Sequence, residues 1–558
     1  MHERIGQALA WLVARVQNLC LASDSPNDRE GVHDLQSSYE TPIQPTQHRT
    51  TDMTTYTCFN SSAPIHRLPN ELLVRIFSLT SPFGFDDHLK DLVRVALVSK
   101  HWNKIVFETP SLWTHISSKY SRHENRAAMI RSGRSPLRVD YSDGDGWDGA
   151  AFIFFAGLEA HRWQSVDLYV TDFNTLRILH KIVILSVPLL EELKVVCYGL
   201  AREMRVEESI DMFGGGADRL RRIELIGFPM SWSSQLLSRL ETLKILGYLY
   251  VYPGPSASQI TDMLHRCPKL RIFELEYPGT EEIRVTGDTL SEREAAFLPN
   301  LISFKLDING TEAFRQIIPS VRAPSCTQYN LRCSGSKSNI FSVETDHFTA
   351  VLLSTVQSVP EISLMLTAVS LQLTGRDHQS NTFINIELSH DMFSPGRSMP
   401  WEDLVWLLEH CTESAPWPPI DTKIYCLDLF PFVESADILR RMSSIVKLTL
   451  ISNSDMYITL LTHPILNNGT YEWVLPNLRE LSLQDCRENS LKLLVELSGM
   501  RQGGVYRDQG EVVRLALPTK LEKFHVEMMS SIGTPGMGSF YTAIRELKGE
   551  SWDGNMLD

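Results

Sequence analysis

The chain has 558 residues, of which 43% are hydrophobic and 22% charged, and a formal net charge of −14. That length calls for several domains or for a repeat array that grows without one large core. The acidity and the absence of a long basic run argue against a general nucleic-acid binder, because phosphate contacts require clustered Lys and Arg.

In the first 23 residues, Ile5, Leu9, Leu12, Val13, Val16 and Leu19 recur at helical spacing. They predict a short amphipathic helix over 1–23. Gln7, Arg15 and Gln17 break the apolar run that a signal peptide would need. Elsewhere no stretch of about 18 uncharged apolar residues occurs, so no membrane span is expected. Residues 24–63 are rich in Ser, Thr, Asp, Pro and Gln. Such a segment buries too little surface to offset its ordering entropy, and is expected to be a disordered linker. The nine cysteines (Cys20, Cys58, Cys197, Cys267, Cys326, Cys333, Cys411, Cys426 and Cys486) are scattered and include no C-x-x-C. This is neither a disulfide framework nor a zinc site, and points to a reducing compartment, cytoplasmic and/or nuclear.

A compact helical block follows over residues 64–117. In "HRLPNELLVRIFSL" Pro69 suits a first helical turn, and Asn70 and Glu71 place polar groups at the positive helix end. Leu72, Leu73, Ile76 and Phe77 form an apolar stripe. Pro82 and Gly84 break the pattern. A second helix is expected from Asp91, with Leu92, Val95, Ala96, Val98, Trp102, Ile105 and Val106 on one face, ending at Pro110. Two short helices with this many large apolar groups are expected to bury some of them against something outside the block.

The block resembles the F-box. The residues that carry the resemblance are Leu68, Pro69, Glu71, Leu72, Leu73, Ile76, Phe77, Asp91, Leu92, Val98, Ser99, Lys100, Trp102 and Ile105, with "PSLW" after them as in many fungal members. The spacer "TSPFGFDDHLK" is longer than in compact members. The resemblance implies docking onto a Skp-family adaptor, and through it onto cullin and RING subunits. The residues it assigns to adaptor binding are Leu68, Pro69, Leu72, Ile76, Phe77, Leu92, Val98 and Trp102, some of which must instead fill the block's own core.

Beyond the block, an apolar template at i, i+3 and i+5 recurs from Trp163, Leu190, Leu220, Leu240, Leu270 and Leu301. Weaker copies start at Cys326, Val359, Phe383, Ile424, Ile445, Leu478 and Leu521. "VPLLEELKV", "CPKLRIFEL", "LPNLISFKL" and "LPNLRELSL" share one frame. These units resemble irregular leucine-rich repeats. Helical patterns fall between them at 256–267, 346–358, 399–411 and 489–500, often opened by Ser or Asp. The expected fold is therefore an α/β repeat, a short all-α F-box followed over 135–550 by a leucine-rich-repeat-like solenoid with parallel strands and outer helices. Its outward strand positions (Glu191, Glu192, Lys194, Arg221, Arg222, Glu224, Glu241, Thr242, Lys244 and Lys305) are polar and mixed in sign, suited to holding a protein.

No catalytic signature accompanies this frame. Gly214–Gly216 lacks a following Lys-Ser/Thr pair, and no H-E-x-x-H or G-x-S-x-G occurs. His410 and Cys411 have no metal-ligand companions at useful spacing. The expectation is a non-catalytic substrate receptor of an SCF-type ubiquitin ligase, without cofactor or metal, binding the adaptor and an unidentified target protein. The alternative is a repeat scaffold with an F-box and no role in ubiquitin transfer.

Overall fold

The computed structural model describes residues 65, 68–79, 88–144, 147–172, 174–176, 179, 186–197, 213, 216–228, 235–247, 255–277, 283, 295–334, 354–367, 370–389, 420–426, 439–440, 442–452, 454–467, 470–486, 488–501, 507–508, 511–512 and 518–528. The expected N-terminal helix over 1–23, the linker over 24–63, the helical pattern at 399–411 and the His410–Cys411 pair lie outside them. The chain divides into two compact units, the first formed by 1–200 with 211–220 and the second by 201–210 with 221–558.

The first unit opens with α1 (Asn70–Leu79), α2 (His88–Ala96) and α3 (Lys100–Glu108). The single second helix expected from Asp91 is in fact two. The chain turns at Leu97–Ser99, and Ser99 caps α3 by accepting from the Trp102 amide. A serine oxygen at that position satisfies one of the amides a helix start leaves open, so the short side chain ends one helix and starts the next. Leu73, Phe77, Leu89, Leu92, Ala96, Ile105 and Val106 form the core between the three helices.

The chain then makes a 3-10 turn, Pro110–Trp113, that buries Leu112 and Trp113. The Trp113 indole donates to the Val106 carbonyl at 2.7 Å. Strand β1 (His115–Ser117) follows at once, then α4 (Arg122–Arg131), β2 (Leu137–Ser142), α5 (Gly149–Gly157), β3 (Trp163–Val170) and β4 (Glu192–Cys197). β1 pairs parallel with β2, β2 with β3, and β3 with β4. The helical block thus runs directly into the first strand of a parallel sheet.

The second unit contains β5 (Arg222–Ile226), β6 (Thr242–Leu246), α6 (Ala257–Arg266), β7 (Ile272–Tyr277), β8 (Ala296–Phe297), β9 (Ser303–Asn309), α7 (Thr311–Ile317), β10 (Val321–Arg322) and β11 (Gln328–Ser334). Then come β12 (Ile362–Leu366), β13 (Ser370–Asp377), β14 (Thr382–Ser389), β15 (Ile420–Cys426), β16 (Ile445–Ser452), α8 (Asp455–Thr462), β17 (Ile465–Asn467), β18 (Thr470–Glu472), β19 (Glu480–Cys486), α9 (Glu488–Arg501), β20 (Arg507–Asp508), β21 (Glu511–Val512) and β22 (Lys523–Met528). The strands β5-β6-β7-β9-β11-β14-β13-β12-β15-β16-β19-β22 lie side by side in one large, mostly parallel sheet.

A short repeated construction builds these strands. Leu190, Leu220, Leu240, Leu270, Leu301, Cys326, Ile445 and Leu478 each close a tight turn by donating their amide to the carbonyl three residues earlier. The residue after several of these donates backwards to the preceding strand: Glu191 to Gln164, Glu241 to Arg221, Arg271 to Glu241, Ile302 to Arg271 and Arg479 to Val446. Proline at the second turn position presets the required φ in the four frames shared in the sequence. Inward residues then stack from strand to strand, as in Ile223, Leu243, Phe273, Phe304 and Tyr329, all nearly or fully buried. Phe273 and Phe304 stack at 5.4 Å.

Among the described residues the segments between strands are of more than one kind. A 3-10 turn, Gln235–Arg239, links β5 to β6. Helix α6 agrees with the 256–267 pattern and opens with a Ser256–Gln259 capping box, and α9 agrees with 489–500. Of the 346–358 pattern, residues 354–358 are helical.

Two corrections concern the sheet. Not all strands are parallel, because β13 runs antiparallel to both β12 and β14. The turn Asp377–Asn381 makes the reversal from β13 into β14: Asp377 accepts from the Gln379 and Ser380 amides, and Asn381 takes a φ of 54°. Aspartate and asparagine are suited to such local bonds and to the left-handed region. The copy placed at Ile424 is also misframed. Its strand, β15, begins at Ile420, slips register between Ile420 and Asp421, and turns Thr422 inward, where it is fully buried.

Candidate functional site

The eight residues assigned to adaptor docking fall into two groups. Phe77 and Leu92 are 1% and 0% exposed and belong to the block's own core. Trp102 packs its ring against Phe77. By contrast Leu72, Ile76 and Val98 remain 47%, 38% and 48% exposed. Pro69 is exposed and Leu68 partly so. The helix explains the sorting. Leu73 and Phe77 are four residues apart on the inner face of α1, and Leu72 and Ile76 are four apart on the outer face. Pro69 begins the helix with its carbonyl accepting from the Leu72 and Leu73 amides.

The sequence assignment overlooked Leu79, 67% exposed, which continues the outer row three residues past Ile76, and Leu97, 38% exposed at the α2–α3 turn beside Val98. The helical spacing of Leu72, Ile76 and Leu79 was available in the sequence as the signal for Leu79. Complete burial of one aliphatic side chain contributes about 1.5–3 kcal/mol. Several half-open ones on one short helix form an apolar patch of the kind that marks interaction sites.

The base of the block carries two half-buried histidines. His88 Nε2 lies 3.2 Å from the Leu112 carbonyl, and His115 Nδ1 lies 3.1 Å from the Tyr120 hydroxyl. Their rings meet edge-on at 5.8 Å. Burial lowers the pKa of His88, with the Leu112 bond and the Asp91 charge opposing it. Burial, and then the like charges of His88, Arg138 and Lys119, bring His115 to about 4. Arg131 stands over both Phe107 and Trp113, at 4.5 and 4.9 Å from the ring centres. These contacts fasten the helices to β1 and α4.

The polar positions expected to meet a target lie on the strand face opposite the buried leucines. In the first unit Glu192 stands opposite Ser165, and Lys194 opposite Asp167. In the second, one register row reads Glu224, Lys244, Glu274, Lys305, Asn330 and Asn385. Lys244 meets Glu274 at 3.1 Å, and Lys305 bonds Glu274 at 2.6 Å and also Glu276. Arg221 pairs with Glu241 at 3.4 Å. Asn385 donates to Asn330 at 2.9 Å, and Arg332 meets Glu387 at 2.7 Å. Arg222 and Thr242 stand opposite each other at the edge of the row. Glu274, Glu276, Asp307, Arg332 and Glu387 were not singled out in the sequence, although each is the polar residue between two inward ones. Burial raises Glu274, but hydrogen bonds and charge from Lys305 and Lys244 outweigh it and hold the carboxylate below its ordinary pKa. Burial pushes Asp307 up, with the Arg332 charge opposing.

Burial raises the Cys197 and Cys267 thiols to about 12 and Cys326 to about 11, which keeps all three protonated. Among the described residues no group of three or more His, Cys, Asp or Glu side chains is placed to hold a metal. Among them, too, no helix is long and apolar enough to cross a membrane.

Comparison with known families places an F-box-like domain at residues 65–119. The match spans α1, α2, α3, the 3-10 turn and β1, so it extends beyond the helices into the first strand of the sheet. The chain therefore carries an F-box-like domain joined to a large α/β region with a mostly parallel sheet. No curated protein matches the chain.

Proposed function

We propose that this chain is the substrate receptor of an SCF-type ubiquitin ligase. The F-box-like domain docks onto a Skp-family adaptor, which brings cullin and RING subunits, and the strands beyond it hold a target protein. The receptor itself breaks no bond. It raises the effective concentration of the target near the charged conjugating enzyme. The strands β2 onward are read as an irregular leucine-rich-repeat-like solenoid, whose polar strand face is the target surface, and the site of action is cytoplasmic and/or nuclear.

One observation supports this reading above the rest. In the F-box-like domain Leu73, Phe77 and Leu92 close the core, yet Leu72, Ile76, Leu79, Leu97 and Val98 stay open to solvent. A three-helix block that is sealed without those groups has them free for a second polypeptide.

The test uses point substitutions, because deleting residues 64–117 would remove β1 and disturb the sheet. A Leu72→Ser, Ile76→Ser, Val98→Ser chain is expected to lose co-purification with a Skp-family adaptor while keeping its melting temperature. Adaptor capture at wild-type strength would reject the docking surface. A captured target whose lifetime does not change when the chain is removed from cells would leave adaptor docking intact and reject ubiquitin transfer in favour of a scaffold.

A further inference from the structure

Across the sheet of the second unit, from β5 to β22, outward residues fall in one register row. Its first arm reads Glu224, Lys244, Glu274 and Lys305, and its last Asp421, Lys447, Glu480 and Lys523, so the sign alternates at every step. Both arms neutralise themselves. Lys244 and Lys305 share Glu274 at 3.1 and 2.6 Å, Lys447 meets Asp421 at 2.8 Å, and Lys523 meets Glu480 at 2.5 Å. Between the arms the row carries no charge: Asn330, Asn385, Thr374 and Ser363 follow one another on β11, β14, β13 and β12. Each is half-buried. The amides there are linked, Gln372 donating to Asn385 at 3.2 Å and Asn385 to Asn330 at 2.9 Å. On the neighbouring row Arg332 is held between Asp307 and Glu387, at 3.8 and 2.7 Å. Past it, Ser334, Ser389 and Ser370 stand opposite one another.

We propose that this uncharged centre holds the main chain of an extended segment of the target protein. The inference rests on the strand face being the target surface, and names the part of that face that binds and what it binds. A carboxamide offers a donor and an acceptor in one plane, as a peptide unit does. Asn330, Asn385 and Gln372 therefore match a main chain whatever side chains it carries. Their mutual bonds use only part of that capacity, since each amide has two N–H donors and a carbonyl with two acceptor sites. The same bonds fix the side chains beforehand, which lowers the entropy cost of binding. Strands stand about 4.8 Å apart, so the row meets successive stretches of a segment laid across them. Charge decides against the arms. A charged partner there competes with ion pairs already made, and a charged group over the centre loses water without finding a counter-charge. The complement of the centre is an uncharged segment, bound independently of salt.

The test uses the full-length chain and short unstructured peptides in three classes, acidic, neutral and basic, with binding followed by fluorescence anisotropy at low and high salt. Neutral peptides are expected to bind equally at both salt concentrations. Asn385→Asp is expected to weaken them about tenfold. Asn330→Ser, which adds no charge, is expected to weaken them in the same direction, and both chains should keep the parent melting temperature. A preference for acidic or basic peptides that fades with salt, or that Lys447→Ala removes, would move recognition to the charged arms. That would overturn the proposal and leave the strand face as the target surface. Neutral binding unchanged by Asn385→Asp, Asn330→Ser and Lys447→Ala alike would overturn the proposal together with that reading of the face. Absence of binding by all three classes would also overturn the proposal.

Discussion

Phe77 of α1 and Trp102 of α3 hold their ring centres 4.8 Å apart with planes tilted by 56°. Such aromatic pairs contribute beyond the area they bury, by about 0.5–1.5 kcal/mol. Phe77→Ala removes this pair and leaves a cavity between α1 and α3. The expected loss is about 3–5 kcal/mol of stability. Adaptor capture should fall with it, and thermal unfolding should show the helices melting first. Leu72→Ser, one turn away on the outer face, should leave the melting temperature nearly unchanged. A Phe77→Ala chain as stable as the parent would mean that the block has no core of its own.

The Ser99 cap gives a second, smaller effect. Ser99→Ala deletes the bond to the Trp102 amide and should cost about 1 kcal/mol. Ser99→Asp, which keeps an acceptor, should restore most of it. Chemical denaturation of the three chains would order them parent, Asp, Ala. An unchanged midpoint for the alanine chain would show that α2 and α3 need no cap to separate.

His115 makes the first unit sensitive to acid. Its pKa is lowered from 6.5 to about 4 in the fold, chiefly by burial and then by His88, Arg138 and Lys119. The folded state therefore favours the neutral ring. The stability this represents is complete above about pH 6.5 and is lost as pH falls towards 4. His88 shifts in the same direction. Stability followed from pH 7 to 4 should decline, and His115→Gln should decline less steeply. Equal slopes for the two chains would remove His115 as the cause.

Lys305 lies between Glu274 and Glu276 on the strand face. Because the pairs are partly solvated, Lys305→Ala should cost about 1 kcal/mol or less. Lys305→Glu places three like charges together and should cost more, since like charges facing across strands destabilise a sheet. Raising the salt concentration should narrow the gap between the two variants. A gap insensitive to salt would show that the loss comes from packing instead.

Much of the sheet was legible because its signal is a spacing. Leu220, Ile223 and Leu225, or Leu301, Phe304 and Leu306, keep the same three inward positions, and each set is buried. Where a polar residue or a slipped register interrupts that spacing, it misleads. Thr422 occupies an inward position that the template reserves for an apolar residue, so the frame at β15 was missed. Strand β13 was invisible for another reason: it is an antiparallel insertion that obeys the turn at Asp377–Asn381 rather than the repeat. In the helical block the apolar set was legible and its division was not. Leu72 and Leu73 are adjacent and alike, and only the position of α3 decides that Leu73 turns inward.

The join at β1 has a mechanical meaning. His115, Ile116 and Ser117 lie inside the F-box-like match, near its end at residue 119, and at the same time in register with Arg138, Val139 and Asp140. The chain that leaves the helices is thus tied to β2 by a run of backbone hydrogen bonds, so a load on the block passes directly into the strands. The first unit is built like a bracket, with its helices braced against its own strands.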